Sequence, residues 1–296
     1  MLDLKGCFTA VVTPFRDGKP DLAAFRKVVR AQIKAGVNGL VPCGSTGEAA
    51  TLTEEEYLEI IKTAVEEAKG KVPVMPGVGT NSTARSVEMI GKVEKLGVDG
   101  ALAIVPYYNK PTQEGMLAHF SELAENTSLP VVLYNVPGRT GVNMLPATAL
   151  ALGKKFGNII GIKEASGNLD QVSGIINGAD KEFAVMSGDD SLTLPMMSVG
   201  ARGVISVVSN IVPEEMVRMC GLFLRGETEE ARKIHHRLFG LIKTLFVETN
   251  PIPVKYAMHL MGYCAPDMRL PLTVLSEKHR EAVKDALITA GIKLAE

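Results

Sequence analysis

The chain has 296 residues, of which 46% are hydrophobic and 22% charged, proportions typical of a globular protein with a large apolar core. Its formal net charge of −1 offers no basic surplus for phosphates, and no apolar run approaches the ~20 residues of a membrane span, so we expect neither nucleic-acid binding nor membrane insertion. The first residues lack the form of a signal peptide, and the four cysteines include no Cys-x-x-Cys pair, which predicts a reduced, cytoplasmic protein.

Eight short β-branched runs recur along the chain, each followed by a helical pattern. The runs are almost continuously apolar, as is expected of parallel strands that are covered on both faces. Eight strand–helix units within about 225 residues predict a closed (β/α)8 barrel, the TIM-barrel architecture of the α/β class. The predicted strands are 7–12, 39–43, 72–75, 100–105, 131–135, 159–163, 183–187 and 203–207.

The predicted helices carry recognisable ends. Thr53 precedes three glutamates and is expected to be an N-cap, while a lysine followed by Gly36 marks the end of an earlier helix. After residue 225 the strand pattern stops, and three amphipathic helices are predicted at 228–247, 251–261 and 276–292. We therefore expect a catalytic barrel at 1–225 and a C-terminal helical appendage at 226–296.

Lys163 is the most informative residue, because it ends the buried strand predicted at 159–163. An unpaired ammonium is costly to desolvate, and burial favours the neutral amine, which can attack a carbonyl. The structural alternative is a salt bridge with Glu164 or Glu48. Adjacent strand residues point to opposite faces, so Glu164 is poorly placed for it. The position therefore favours a Schiff-base lysine.

In barrels of this kind the chemistry lies at the carboxyl ends of the strands. The turn after the second strand carries the hydroxyls of Ser45 and Thr46 between glycines, which suits a small carboxylate or phosphate, or simply a tight turn. Tyr134 ends the fifth strand and is either a core residue or a reactive one. Arg139 lies in the loop that follows, where a guanidinium can grip a carboxylate with two hydrogen bonds.

Other patterns give no support for a metal or an organic cofactor. Gly77 and Gly79 follow a strand, but Ser82 occupies the third glycine position of a dinucleotide-binding turn. Asp189 and Asp190 are interpreted as the start of a helix, because no histidine stands near them in sequence. The five histidines fall on predicted helices without the His-Glu-x-x-His spacing of a zinc site.

Several of these segments together resemble the dihydrodipicolinate synthase family, the 4-hydroxy-tetrahydrodipicolinate synthases. That family lies within the pyruvate-dependent class I aldolase superfamily, which includes N-acetylneuraminate lyase. The resemblance extends throughout the chain, and the loop with Arg139 favours the synthases over the sugar-acid lyases. The segments that carry it are 44–48, 106–109, 134–141 and 161–165, with 250–255 in the helical part.

The resemblance implies a lyase that condenses pyruvate with L-aspartate-4-semialdehyde, the committed step of the diaminopimelate route to lysine. It implies Schiff-base chemistry with no metal or organic cofactor, in a homotetramer built as a dimer of dimers. In this resemblance Lys163 forms the imine with pyruvate, and Tyr134 transfers protons. Ser45 links Tyr134 to Tyr108 of a neighbouring subunit. Arg139 binds the carboxylate of the semialdehyde, and the residues around pyruvate are Thr46, Gly188 and Ile205.

Two departures from the family pattern stand out. Ser45 replaces the more usual threonine, which keeps the hydroxyl and loses one methyl group. Asn81 and Tyr107 match the lysine-feedback site of regulated members, so both are possible remnants of an effector site. Lysine inhibition is nevertheless expected to be weak or absent, because a cation at Arg85 would repel the lysine ammonium. The positions that differ from that site are Ala49, Glu54, Tyr57 and Arg85.

Three alternatives stay open at this point. A pyruvate-forming lyase acting on N-acetylneuraminate or a 2-keto-3-deoxy sugar acid would share the lysine, the tyrosine and the hydroxyl turn. A phosphate-handling isomerase barrel is less compatible, because the loops after the last two strands carry acids rather than a glycine-rich turn with a cation. A catalytically silent barrel could serve as a sensor of pyruvate or an amino acid.

Overall fold

Eight parallel strands form a barrel in the computed structural model, which describes residues 2–295. The strands are β1 (Gly6–Ala10), β2 (Gly39–Val41), β3 (Gly77–Val78), β4 (Ala101–Ile104), β5 (Val131–Asn135), β6 (Ile159–Glu164), β7 (Ala184–Ser187) and β8 (Gly203–Ser206). Each strand pairs with the next from β3 to β8, and β1 pairs with both β8 and β2. The barrel closes where Leu40 N donates to Pro73 O at 2.9 Å and Leu40 O accepts from Met75 N at 2.8 Å. The predicted (β/α)8 barrel is confirmed.

The third strand lies later in the chain than the predicted 72–75. Regular pairing with β4 occurs only at Gly77–Val78, where Gly77 is in register with Leu102. Pro73 lies within the predicted segment and Pro76 directly follows it, and neither residue has an N–H to donate, so the ladder is interrupted there. The predicted run instead closes the barrel against β2 through isolated hydrogen bonds.

Helices cover the outside of the barrel, as the alternation of strands and helices predicts. They are α1 (Leu22–Lys34), α2 (Glu54–Ala68), α3 (Thr83–Glu94), α4 (Gln113–Glu125), α5 (Pro137–Thr140), α6 (Pro146–Lys155), α7 (Leu169–Gly178), α8 (Thr193–Ser198) and α9 (Pro213–Leu224). Thr53 caps α2 by accepting a hydrogen bond from Glu56 N, and the Glu56 carboxylate accepts one from Thr53 N. No helix within residues 2–295 is long and apolar enough to cross a membrane.

The C-terminal segment is helical, in agreement with the predicted appendage. It contains α10 (Thr228–Thr244), α11 (Ile252–Leu260) and α12 (Glu277–Thr289). Helix α10 packs on α9 and α12, while α11 also contacts the turn Val208–Asn210 that follows β8. A buried ion pair of 2.6 Å joins Lys255 on α11 to Glu48 in the turn after β2. The appendage therefore lies against the end of the barrel where chemistry is expected.

Two apolar layers stabilise the fold. The larger lies between the strands and the surrounding helices, and the smaller fills the inside of the barrel with side chains such as Phe8, Leu102 and Met186. Because side chains alternate along each strand, Val132 and Gly161 form one inward layer and the next inward pair is Tyr134 and Lys163. The inner core thus ends at these two residues.

Candidate active site

Lys163 and Tyr134 lie side by side near the carboxyl ends of β6 and β5. The parallel register pairs the two residues, so both side chains project to the inside of the barrel. The Nζ atom of Lys163 lies 4.3 Å from the centroid of the Tyr134 ring. Lys163 is only 6% exposed and Tyr134 only 8% exposed. An amine and a phenol are therefore held within reach of one small molecule.

The structure contradicts the alternative in which Lys163 has a structural salt bridge. Within residues 2–295 this lysine forms no ion pair. Glu48 is paired instead with Lys255, whose Nζ also donates to Asp267 O at 2.7 Å. Glu164 lies on the outer face of β6, as strand alternation predicts, and its carboxylate accepts hydrogen bonds from groups on that side. The buried amine is thus available for chemistry.

The turn that follows β2 is tightly wound and carries the two predicted hydroxyls. Gly47 is required there, because a Cβ atom would lie 2.9 Å from the backbone N of Cys43. Thr46 is buried, and its Oγ1 accepts a hydrogen bond from Asn250 Nδ2 at 3.0 Å. Ser45 is partly exposed, and its hydroxyl makes no hydrogen bond to Tyr134 within the described chain. Within the described residues, the Thr46 hydroxyl is therefore hydrogen-bonded to Asn250, and the Ser45 hydroxyl has no side-chain partner.

Arg139 lies at the mouth of the barrel on the short helix α5. Its Nη2 donates to the backbone O of Asn250 at 2.9 Å, which places the exposed guanidinium beside the segment that leads into α11. Asn250 therefore contacts Arg139 through its backbone and Thr46 through its side chain. Its Oδ1 is buried without a partner in the part of the chain that the structure describes.

Asn250 is a member of the site that sequence analysis did not assign. It lies 204 positions from Thr46, and no local pattern relates the two residues. The only available signal was its presence in the segment 250–255 that contributes to the family resemblance.

Gly188 and Ile205, both expected near pyruvate, come from the ends of β7 and β8. The N–H of Gly188 donates to Glu164 O at 2.8 Å. A Cβ atom on Gly188 would lie 3.1 Å from Lys163 Cε and 2.6 Å from Ala165 Cβ, so only glycine leaves the lysine stem its space. Ile205 is fully buried among the side chains inside the barrel. The structure brings both residues to the same end of the barrel as Lys163.

Asp190 holds the loops after β7 and β8 together. It begins a short helical turn, as predicted, but its side chain does not serve that turn. Oδ2 accepts hydrogen bonds from the N–H groups of Val207 and Val208, each at 3.0 Å. Burial raises the pKa of this carboxyl. Asp189, in contrast, caps the turn through a hydrogen bond from Ser191 N at 2.8 Å. The sequence pattern predicts a helix start at both residues and gives no sign of this link.

Tyr108 is not brought to Ser45 or Tyr134 within its own chain. It is 86% exposed, and its backbone adopts the left-handed conformation at φ +74°. Its backbone N donates to Thr140 O at 3.3 Å, which fixes the loop while the side chain points away from the chain. An exposed aromatic side chain on a fixed loop is suited to contact another molecule.

The residues at the positions related to lysine feedback lie in different structural environments. Asn81 accepts a hydrogen bond through its backbone O from Asn109 Nδ2 at 2.8 Å, and Tyr107 is partly exposed. Tyr57 belongs to the core, where its hydroxyl donates to Gly77 O at 2.7 Å and burial raises its pKa well above the ordinary value. Arg85 is exposed on α3.

The sequence profile of the dihydrodipicolinate synthetase family matches residues 3–290. A 4-hydroxy-tetrahydrodipicolinate synthase from Persephonella marina is 50% identical over 289 residues, which cover 97% of this chain and 99% of that protein. The dihydrodipicolinate synthase structure from Thermotoga maritima has a TM-score of 0.96 at 45% identity and covers 97% of this chain and 98% of its own. A structure from Cyanidioschyzon merolae with lysine bound has a TM-score of 0.95 at 42% identity and covers 98% of this chain and 99% of its own.

Proposed function

This chain belongs to the dihydrodipicolinate synthetase family, and from that premise we propose that it condenses pyruvate with L-aspartate-4-semialdehyde. The product is 4-hydroxy-tetrahydrodipicolinate, and the reaction commits carbon to diaminopimelate and lysine. The observation that carries this proposal is the buried Lys163 amine, which has no ion-pair partner in residues 2–295 and lies 4.3 Å from the Tyr134 ring.

Lys163 acts as the nucleophile. Its neutral amine attacks the keto carbon of pyruvate, and loss of water gives a protonated imine. The imine withdraws electrons from the adjacent methyl group, which loses a proton to form an enamine. The enamine carbon then attacks the aldehyde carbon of the semialdehyde, whose oxygen takes up a proton and becomes the hydroxyl group, while the imine on Lys163 forms again. The amino group of the former semialdehyde attacks this imine carbon and closes the ring, and the Lys163 amine leaves as the free base. Because the imine itself is the electron sink, the reaction needs no metal or organic cofactor.

Tyr134 moves the protons that these steps release and consume. A phenol is a weak base by itself, and a chain of hydroxyls can pass the proton onward without leaving a buried charge. Ser45 stands between Tyr134 and a second tyrosine in this relay. That second tyrosine is Tyr108 of a neighbouring subunit, as the family resemblance implies, and its 86% exposure on its own chain leaves the side chain open to such a contact.

Two groups of residues hold the substrates. Thr46 helps to hold the pyruvate carboxylate, and Gly188 and Ile205 supply backbone around the substrate. Arg139 binds the carboxylate of the semialdehyde at the mouth, next to the backbone of Asn250. A bidentate guanidinium grip on a carboxylate is strong and directional, which favours an amino-acid aldehyde over a sugar chain.

The assembly and setting follow from the same proposal. We propose a cytoplasmic homotetramer that is a dimer of dimers, since a relay that crosses subunits makes oligomerisation part of catalysis. Lysine feedback is weak or absent, because the cation of Arg85 would repel the lysine ammonium. We also propose that the chain is divided into a catalytic barrel at 1–225 and a C-terminal helical domain at 226–296.

A substrate comparison tests the function directly. The wild-type protein is assayed with pyruvate plus aspartate semialdehyde, and separately with N-acetylneuraminate. We expect turnover only with the first pair. In Arg139→Gln the KM for the semialdehyde is expected to rise by about 10- to 100-fold, as loss of a charge-assisted hydrogen bond costs on that order, while the KM for pyruvate changes little. Efficient cleavage of N-acetylneuraminate would contradict the proposal.

A further inference from the structure

Glu164 is a buried acid on the catalytic strand to which the mechanism gives no role. It is 1% exposed and lies on the outer face of β6, directly after Lys163. Its Oε2 accepts hydrogen bonds from Asn135 Nδ2 and Gln171 Nε2, each at 3.0 Å. Its Oε1 accepts from Ser166 N at 2.6 Å and from Asn135 Nδ2 at 3.3 Å. Both oxygens are therefore fully engaged.

The orientation of the neighbouring amides follows from one backbone group. Met144 N donates to Asn135 Oδ1 at 3.0 Å, so the amino group of Asn135 must face Glu164 and Asn143 Oδ1. Asn143 Oδ1 is thereby an acceptor, and its amino group donates to Gln171 Oε1 at 2.7 Å. The amino group of Gln171 must then face Glu164. An exchange of the oxygen and nitrogen positions in any of these side-chain amides would therefore lose hydrogen bonds.

The carboxyl group of Glu164 acts only as a hydrogen-bond acceptor. Each protein group that forms a hydrogen bond with its oxygens is an N–H donor. Within residues 2–295 Glu164 forms no ion pair, so these N–H donors alone hold its carboxyl group. A buried carboxylate that is held this way accepts hydrogen bonds roughly twice as strong as neutral ones.

The acid joins the two strands that carry the reacting groups. Asn135 and Glu164 are paired in register one residue beyond Tyr134 and Lys163. The side-chain bond on the outer face thus adds to the backbone bond from Ala165 N to Asn135 O, at 2.9 Å. Glu164 O also accepts from Gly188 N on the next strand. Rotation or slippage of β6 against β5 would break all of these contacts together.

We propose that Glu164 is a positioning residue whose carboxylate accepts hydrogen bonds from Asn135 and Gln171 and thereby fixes Lys163 against Tyr134. This inference rests on the proposed function of Lys163 as the imine-forming nucleophile. Imine formation and the following proton transfer both need the amine and the phenol at a defined separation, and a misplacement of about 1 Å can lower a rate by about 100-fold.

Glu164→Gln tests the proposal, because the new amino group would face donors. We expect kcat to fall by about 10- to 100-fold, by the cost of misplacement given above. The rate at which borohydride traps the pyruvate adduct should fall in parallel, with a smaller change in the KM for pyruvate, since its carboxylate is bound by other strands. Glu94→Gln is the matched control, since Glu94 also accepts from a backbone N–H and hydroxyls, at Ser128 and Thr127, but ends α3 far from the site. It should lower Tm and leave kcat unchanged.

A variant of one donor to Glu164 tests the same contact without changing the acid itself. If Glu164→Gln does not fold, Gln171→Met removes one donor, and kcat should fall by about 3- to 10-fold, as expected of a smaller displacement.

The outcomes separate this inference from the function on which it rests. A wild-type protein that traps no pyruvate would overturn the proposed function. If the wild type traps pyruvate and a folded Glu164→Gln protein keeps wild-type kcat and trapping rate, with only Tm reduced, the inference about Glu164 is wrong.

Discussion

At the scale of single residues, the hydroxyl of Ser45 is the part of the proposed relay that a small change can remove. Ser45→Ala is expected to lower kcat by about 100-fold, because proton transfer by a positioned group contributes at least that factor. Steady-state rates with both substrates measure the effect. Ser45→Thr is the control, as it keeps the hydroxyl and should keep turnover. Near-normal turnover of Ser45→Ala would show that the relay does not pass through this residue.

The sequence indicates the residues inside the barrel more clearly than the residue that joins distant segments at the mouth of the site. The barrel pattern placed Lys163 and Tyr134 near the carboxyl ends of their strands, and the register of the structure adds that both lie on the inner face. Asn250 was not assigned, because its contacts with Thr46 and Arg139 join segments that are distant along the chain. Local periodicity carries no information about such contacts, which are fixed by how the C-terminal segment packs.

At the scale of elements, the ion pair between Lys255 and Glu48 connects α11 to the hydroxyl turn. Both side chains are almost completely buried. Burial raises the pKa of Glu48 and lowers that of Lys255, and the charge of each partner opposes the shift of the other. Removal of one partner leaves a buried charge without compensation, which is more costly than the loss of a surface pair.

Lys255→Met is therefore expected to lower the free energy of unfolding by about 3–5 kcal/mol, the usual cost of breaking a buried pair. Urea titration measures the change. Lys92→Met is the control, because Lys92 pairs with Glu54 and Glu88 at the surface, and it should cost no more than about 1 kcal/mol. A Lys255→Met protein as stable as the control would contradict a stabilising role for the buried pair.

The packing of α1 against α2 should make stability depend on pH. The guanidinium of Arg30, with that of Arg26, holds the pKa of Glu67 at about 2, below its ordinary 4.5. A lowered pKa in the folded state stabilises the fold above pH 4.5, and this contribution is lost as pH falls toward 2. Glu67→Gln should cost about 1 kcal/mol at neutral pH, because exposure of the arginines screens the pair. Thermal unfolding should show that difference vanish in acid; a constant difference would contradict it.

The strand–helix order was predictable for the same reason that the inner site was. Parallel strands covered on both faces are apolar throughout, and eight such runs stand out from their helices. The third strand was misplaced because it was located by its apolar residues alone, and apolar character does not show which residues have a backbone N–H for hydrogen bonds to a neighbouring strand. The prolines at 73 and 76 remove those donors, and regular pairing begins only after them.

At the scale of the whole molecule, the exposed Tyr108 predicts a catalytic site shared between chains. Lys163→Met and Tyr108→Phe should each have little activity as separate proteins. Mixed oligomers of the two, purified through different tags, should recover activity, because one site then contains an intact Lys163 and receives an intact Tyr108 from its neighbour. Mixed oligomers as inactive as the separate variants would show that the tyrosine acts within its own chain or not at all.

The most direct test of the account is covalent capture of pyruvate by Lys163. The wild-type protein is reduced with borohydride in the presence of pyruvate, and its intact mass and peptide map are measured beside those of Lys163→Met. We predict one reduced pyruvyl adduct per wild-type chain, located on Lys163, and none on the variant. An adduct of the same mass on Lys163→Met, or turnover by that variant, would contradict the central claim.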